Sequence, residues 1–288
     1  MRYAIVTPVR DEVANLERIA SCVASQTARP EAWVLVENGS TDETPDIAAR
    51  LADEHTWVHV LRAGLLDAEE RGAPIVHAFH LGVSLLQPRP EVIVQLDADL
   101  SFPPYYFEQL LRALGRNVRL GIVSGTCYEQ HGGEWREQHV TGASVWGAAR
   151  AYRKECLERV LPLEPRTGWD AVDVAEANAL GWETRILHEV PFYHHRREAS
   201  RERTRWSAWA AQGRVSHFLG YRPSYLLLRA LFRAFRDPAA LALVAGYAGE
   251  AVRRRPQCAK PGVRTWVRKQ QRLRNLARRV AEARGVSG

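Results

Sequence analysis

An α/β fold with a doubly wound, mostly parallel sheet flanked by helices is predicted from three features of this 288-residue chain. Short apolar runs of strand length alternate with segments of helical period between Tyr3 and Leu96. Polar turns carrying Gly, Pro or Asp separate them. The last of these strands, Val92-Ile93-Val94-Gln95-Leu96, stops abruptly at two carboxylates, Asp97 and Asp99, so a buried strand ends in a charged mouth. The order βαβαβαβ is closed most economically by right-handed parallel crossovers.

Each element has its own signal. Tyr3-Ala4-Ile5-Val6-Thr7-Pro8 is a buried strand ended by proline, and Leu16, Ile19, Ala20 and Val23 then recur at helical spacing. Trp33 to Val36 is a second strand that closes in the turn Glu37-Asn38-Gly39-Ser40-Thr41-Asp42, and Pro45 opens the next helix through Ile47, Ala48 and Leu51. Val58 to Leu61 is a third strand and Ile75 to Leu86 a helix. Beyond the fourth strand, Tyr106, Leu110, Leu111 and Leu114 mark a helix and Leu120 to Gly125 a strand. Residues 128 to 146 are polar and Gly-rich, with Trp135 and Trp146, and read as a binding loop or an irregular element. Thr184 to His188 and Val190 to Tyr193 read as two short strands.

The composition, 46% hydrophobic and 25% charged, is that of a soluble globular protein and sets disorder aside. The length allows one large domain, or a domain with an appendage. Met1-Arg2 leads straight into the first strand, which is not the pattern of a signal peptide. Cys22, Cys127, Cys156 and Cys258 are scattered without metal-type spacing and read as cytosolic thiols. The net charge of +7 is uneven: residues 253 to 284 hold twelve Lys or Arg against Glu282 alone, leaving 28 basic and 32 acidic residues elsewhere. The basic character therefore belongs to a tail.

Acids spaced i and i+2 at a strand end suit a hard divalent cation, which takes one or two carboxylates while a substrate phosphate completes its shell. In an open α/β sheet ligands bind outside the carboxyl ends of the strands, where these acids stand. The plainer alternative has Asp99 capping a helix from near Pro104 and Asp97 solvated. Thr7-Pro8-Val9-Arg10-Asp11-Glu12, then Val36-Glu37-Asn38-Gly39-Ser40-Thr41-Asp42-Glu43-Thr44, then Leu96-Asp97-Ala98-Asp99 follow in order. In order and approximate spacing they resemble the nucleotide-diphospho-sugar domain of glycosyltransferase family 2, which has the GT-A fold. The resemblance covers about residues 1 to 200.

This resemblance implies a metal-dependent, inverting transfer of a sugar from a UDP- or GDP-sugar to an acceptor hydroxyl. It places Thr7, Pro8, Arg10, Glu12, Glu37, Asn38, Asp97 and Ala98 at the donor nucleotide, with Asp97 on the ribose and Asp99 on the metal, Mn or Mg. Glu37 and Asn38 replace the two aspartates of the family's V-D-D-G-S-T-D turn. Glu37 would still accept a hydrogen bond from the base, whose identity stays open. Arg71 and His77 lie where the family often has basic groups near the diphosphate; the alternative for Arg71 is a solvated loop residue.

The acceptor side falls after the metal motif, and Trp146 to Glu155 resembles the family's strand beneath the donor sugar. Thr167-Gly168-Trp169-Asp170 matches the family's E-D motif, with Trp169 in place of the glutamate. Asp170 is thereby implied as the general base that inversion requires, with a helix cap as the plainer role. Asp173, one turn on, is a second candidate base or a partner that orients Asp170. His194 or His195 would complete the metal or diphosphate site, with Arg196 and Arg197 beside them; the alternative is an ordinary surface histidine. The segment Asp97 to Pro104 also looks like dolichol-phosphate mannosyltransferases, whose phosphate acceptor needs no general base. A third alternative is a non-catalytic nucleotide-sugar-binding protein on the same fold.

Residues 1–220 are thus expected to form a GT-A catalytic domain and residues 221–288 a basic amphipathic helical extension. Arg205-Trp206 resembles the end of the Q-x-x-R-W motif of processive synthases, yet Glu202 stands where glutamine belongs, and no apolar run reaches spanning length. Leu226, Leu227, Arg229, Leu231, Phe232, Arg233, Phe235 and Arg236 mix bulky and cationic side chains in one helix. Three readings stand for this end: a peripheral membrane anchor, a helical appendage or homodimer contact, and a nucleic-acid arm that lacks any reader motif. The expected partners are a nucleotide-sugar donor and a carbohydrate or lipid-linked acceptor of cell-envelope or polysaccharide synthesis. The expected location is the cytoplasm, at the inner face of the plasma membrane if the tail binds lipid.

Overall fold

A computed structural model describes residues 1–66, 70, 72–140, 144–196, 204–272 and 275. The chain forms two compact units, residues 1–177 with 181–195, and residues 178–180 with 196–288. The division falls at Arg196, ahead of the boundary expected at residue 221.

The first unit runs β1 (Tyr3–Val9), α1 (Leu16–Ala24), β2 (Ala32–Glu37), α2 (Thr44–Glu54), β3 (Val58–Arg62), α3 (Ala73–Leu85) and β4 (Val92–Leu96). It continues through β5 (Leu100–Ser101), α4 (Tyr106–Arg116), β6 (Leu120–His131), β7 (Glu134–Glu137), β8 (Ala149–Arg153), α5 (Lys154–Val160), α6 (Trp169–Ala179) and β9 (Glu183–His194). The strands make one sheet in the order β3-β2-β1-β4-β8-β6-β9-β5, with β7 hairpinned onto β6. The β3-β2-β1-β4 half is parallel, as the crossovers predict, and β8 enters antiparallel between β4 and β6.

Burial explains why the strands read as continuous apolar runs. β4 is buried along its whole length, and Ile5, Leu35, Val94, Tyr106, Phe107 and Phe192 lie in one core cluster. Trp33 is fully buried, and its indole N–H donates to Thr7 Oγ1 at 2.9 Å. The expected loop at 128–146 is in part a hairpin: β6 runs to His131 and turns through Gly132-Gly133 into β7. The two strands read between Thr184 and Tyr193 are one strand, whose pairing with β6 shifts register between Gly125 and Thr126.

The second unit holds α7 (Arg205–Phe218), α8 (Pro223–Ala234), a 3-10 turn (Pro238–Leu241), α9 (Ala242–Val252) and α10 (Val263–Gln270). α7 and α9 touch backbone to backbone: a Cβ on Gly213 would lie 2.2 Å from the Leu243 carbonyl oxygen, and one on Gly246 2.1 Å from that of Ala210. Asp237 fastens the turn, receiving the Trp209 indole N–H at 2.7 Å and the Arg205 guanidinium at 2.9 Å.

Candidate active site

The site forms where the parallel strands β1, β2 and β4 end and where β5 runs back along β9. Leu100 pairs with His194 and Ser101 with Tyr193, and the His195 N–H donates to the Asp99 carbonyl at 2.9 Å. Side chains alternate along a strand, so His194 turns inward and His195 outward. Asp97, Asp99 and His194 each offer one ligand atom, and these atoms lie within 4.8 Å of one another. Asp99 Oδ1 is 3.2 Å from His194 Nε2, and both residues are buried. Gln95 Nε2 donates to Asp97 Oδ1 at 2.8 Å and aims that carboxylate. Two carboxylates and an imidazole make a donor set that fits a divalent cation.

Asp97, expected at the ribose, also offers an atom to the candidate cation cluster. His195, expected as an alternative ligand, lies outside it: its Nε2 is 2.8 Å from Ser101 Oγ and its ring meets Trp135 edge-on. Burial, followed by Arg18, draws the His195 imidazole below its usual pKa. Glu129 was not anticipated from sequence. It is buried on β6, in register with His194, with Oε1 3.8 Å from His194 Nδ1. Only the sheet pairing reveals it, because a lone glutamate in a polar stretch carries no signal.

Asp170 stands in the first turn of α6. Its side chain is 39% exposed, and a Cβ on Gly147 would lie 3.3 Å from its Oδ2, so the glycine gives that carboxylate its room. The neighbouring Ala148 carbonyl accepts the Asp97 N–H at 2.8 Å. The Gly147-Ala148 dipeptide therefore joins the candidate base to the candidate metal strand.

Asp173 is a different case. It is 1% exposed, takes Arg150 Nη1 on both carboxylate oxygens at 2.8 Å and accepts the Tyr152 hydroxyl. A carboxylate so enclosed is not a base for an incoming hydroxyl; it anchors Arg150. Burial pushes the Asp173 carboxyl up, with Arg150 opposing. Burial is the strongest single influence on the Arg150 charge and works against it, but Asp173, Tyr152 and Asp170 together outweigh it and the guanidinium's pKa rises. Arg150 also donates to the carbonyls of Trp146 (2.9 Å), Val145 (2.5 Å) and Asp170 (3.3 Å), so one cation holds both sides of the Asp170 cradle. Trp169, the departure from the family's glutamate, stacks its ring 5.3 Å from that guanidinium. This pair was not anticipated from sequence; an arginine between two alanines in Ala149-Arg150-Ala151 marks a buried cation but does not name its partner. Arg150→Met is expected to destabilise the fold by about 3–5 kcal/mol, because it strands a buried carboxylate. Urea unfolding measures this, and adding Asp173→Leu should restore most of the loss.

The donor-side residues hold two loops together. Asp11, with φ +54°, sends its N–H to Ser40 Oγ (3.1 Å), and its Oδ1 accepts the Thr41 N–H (2.7 Å). Glu12 is buried, its N–H bonded to Thr44 Oγ1 at 2.7 Å and its Oε2 accepting from Asn15. Glu37 Oε1 accepts the Ser40 N–H at 2.5 Å and Asn38 Oδ1 the Leu66 N–H at 2.5 Å, so both buried side chains brace loops. Thr7 spends its hydroxyl on Trp33 in the core, and the Ala98 methyl is also core. Of the expected set, Pro8 is half-buried and Arg10 exposed, its Nε 3.7 Å from Asp11 Oδ2. His77 is half-buried on α3. Arg71 and Arg197 lie outside the described residues.

The family's sequence profile, described as Glycosyl transferase family 2, matches residues 4–168, more than half of the chain. The chain belongs to glycosyl transferase family 2. Its fold is that of other glycosyltransferases at low identity. A mannosyltransferase from Pyrobaculum calidifontis, in complex with GDP-Man and Mn2+, matches with TM-score 0.58 and 16% identity over 99% of this chain and 86% of its own. TarS of S. aureus, in complex with UDP-GlcNAc, matches with TM-score 0.56 and 16% identity over 76% of this chain and 67% of its own. Glucosyl-3-phosphoglycerate synthase from Mycobacterium tuberculosis, in complex with Mn2+, UDP and glucosyl-3-phosphoglycerate, gives 0.50 and 16% over 69% and 74%. Curated protein sequences give no match. This family 2 glycosyltransferase thus joins a nucleotide-sugar fold to a carboxylate-imidazole cluster at its strand ends.

Proposed function

We propose that this enzyme transfers a sugar, with inversion, from a UDP- or GDP-sugar to an acceptor hydroxyl in cell-envelope, polysaccharide or glycolipid synthesis. The observation that carries the reading is the half-exposed Asp170 carboxylate, set beside Gly147 and one residue from the strand that presents Asp97 and Asp99. Inversion needs a base on the face of the sugar opposite the leaving diphosphate, and a carboxylate open to solvent in a glycine-cleared cradle suits that task. Asp97, Asp99 and His194 would hold the divalent cation, with the imidazole nitrogen favouring Mn over Mg. When bound, such a cation supplies positive charge to the departing diphosphate. The braced loops after β1 and β2 form the wall for the nucleoside, and Arg150 keeps Asp170 in place through the backbone on either side of it.

Calorimetric titration of UDP, GDP and their sugars, with and without Mn2+, tests the reading. One nucleotide is expected to bind only with metal; if none binds with any metal, the donor assignment is wrong. A related result is expected for Glu129, which orients His194 from behind: Glu129→Gln should weaken Mn2+ binding by about 10- to 100-fold. Electron paramagnetic resonance of Mn2+ measures this directly, and unchanged affinity would remove Glu129 from the site.

A further inference from the structure

Along α8 the second unit reverses the usual pattern of a surface helix, which hides its apolar stripe and gives its polar one to water. Leu226 and Ala230 do face the small core, 1% and 0% exposed, together with Leu243. About a third of a turn further round, Leu227, Leu228 and Leu231 are 49%, 45% and 48% exposed, and Phe235 just past the last turn is 91% exposed. The spacing 227, 231, 235, with 228 alongside, places these four on one stripe. Single exposed leucines are ordinary, but a continuous bulky stripe on the outer side of a helix marks an interaction surface.

The two ends of the helix are cationic. Arg222 and Arg236 are exposed near its two ends. The run from Arg205 to Arg236 holds six arginines and no acidic residue. Burial, then Arg229 and Arg236, lowers the pKa of Arg233, as expected where arginines crowd together.

We propose that this face of α8 docks the protein on the surface of an anionic lipid bilayer, with Leu227, Leu228, Leu231 and Phe235 entering the acyl boundary and Arg222 and Arg236 meeting the headgroups. A helix with bulky apolar residues on one side and arginines at its ends lies in the plane of an interface. Anionic headgroups add an attraction that salt screens. Charge selects lipid over a second copy of the chain: a twofold contact through this face would bring the terminal arginines of both copies together, and the acid beside them, Asp237, is already taken by Arg205 and Trp209. At 12 residues α8 is too short to cross a bilayer, and no described helix is long and apolar enough to do so. The apolar anchor is therefore α8, ahead of the basic tail on which the sequence centres the charge. The proposal stands apart from the donor chemistry.

Flotation of the full chain with phosphatidylcholine vesicles, with and without phosphatidylglycerol, tests it. The protein is expected to float with the anionic vesicles only. The triple variant Leu227→Ser, Leu231→Ser, Phe235→Ser should lower the partition coefficient about a hundredfold, since the two leucines have nearly half of their surface and the phenylalanine most of its surface left to bury. Its melting temperature should not change, because these side chains lie outside the core. Equal partition of wild type and variant would mean adsorption by charge alone and would overturn the docking face. A wild-type dimer that ignores vesicles and dissociates in the variant would reassign the face to a second copy. A monomer that ignores vesicles would also overturn the proposal. Nucleotide affinity measured on the same samples should match between wild type and variant, so failure here is distinguishable from failure of the donor site.

Discussion

Asp99→Asn is expected to abolish metal-dependent binding of the donor nucleotide, lowering Mn2+ affinity by at least about a hundredfold. Loss of a group behind a ligand already costs 10- to 100-fold in metal affinity, and loss of a charged ligand exceeds that. Asp99 is buried, 3.2 Å from His194 Nε2, so its charge acts with little screening from solvent. The fold should survive, because the His195 N–H bonds the Asp99 backbone carbonyl, which asparagine keeps. Calorimetry with Mn2+ and nucleotide, beside a thermal melt, reads both properties. A variant that melts like wild type and binds Mn2+ equally well would show that Asp99 is no ligand.

The second large effect is on turnover. Asp170→Asn should lower kcat by about 10²–10⁴-fold, the range for loss of a general base, while nucleotide and metal affinities stay near wild type. Asparagine is close in size to aspartate, so it should fit the space beside Gly147, and Arg150 bonds the residue 170 carbonyl in either case. The split between a large fall in kcat and unchanged donor binding is what distinguishes a base from a residue that merely caps α6. If turnover instead stays close to wild type, the acceptor is an ionised phosphate that needs no base, and the polyprenyl-phosphate reading takes over.

Much of this enzyme was written in local pattern. Apolar runs of strand length, each broken by a polar turn, determined β1 to β4 and their parallel order, because a strand buried on both faces has little sequence freedom. Asp97 and Asp99 were legible as two acids closing a buried strand, and Asp170 only through the resemblance to the family's E-D motif, because an aspartate in the first turn of a helix is also an ordinary cap. Partners across the sheet were not legible. Whether His194 or His195 faces the cluster depends on which of two alternating side chains points inward, and the pairing of β9 with β5 and β6 settles that. Glu129 and Arg150 lie 65 and 23 residues from the partners they hold, His194 and Asp173, and no spacing rule reaches so far. Thr7, Ala98 and Glu12 matched the donor motifs, yet their side chains serve the core and the loop braces, since a motif names residue types and not the direction in which they point. In α8 too, the sequence determined the mixture of leucine and arginine. Only the packing of Leu226 and Ala230 against Leu243 decided which stripe is hidden and which is left for a partner, because one buried face fixes the rotation of the whole helix.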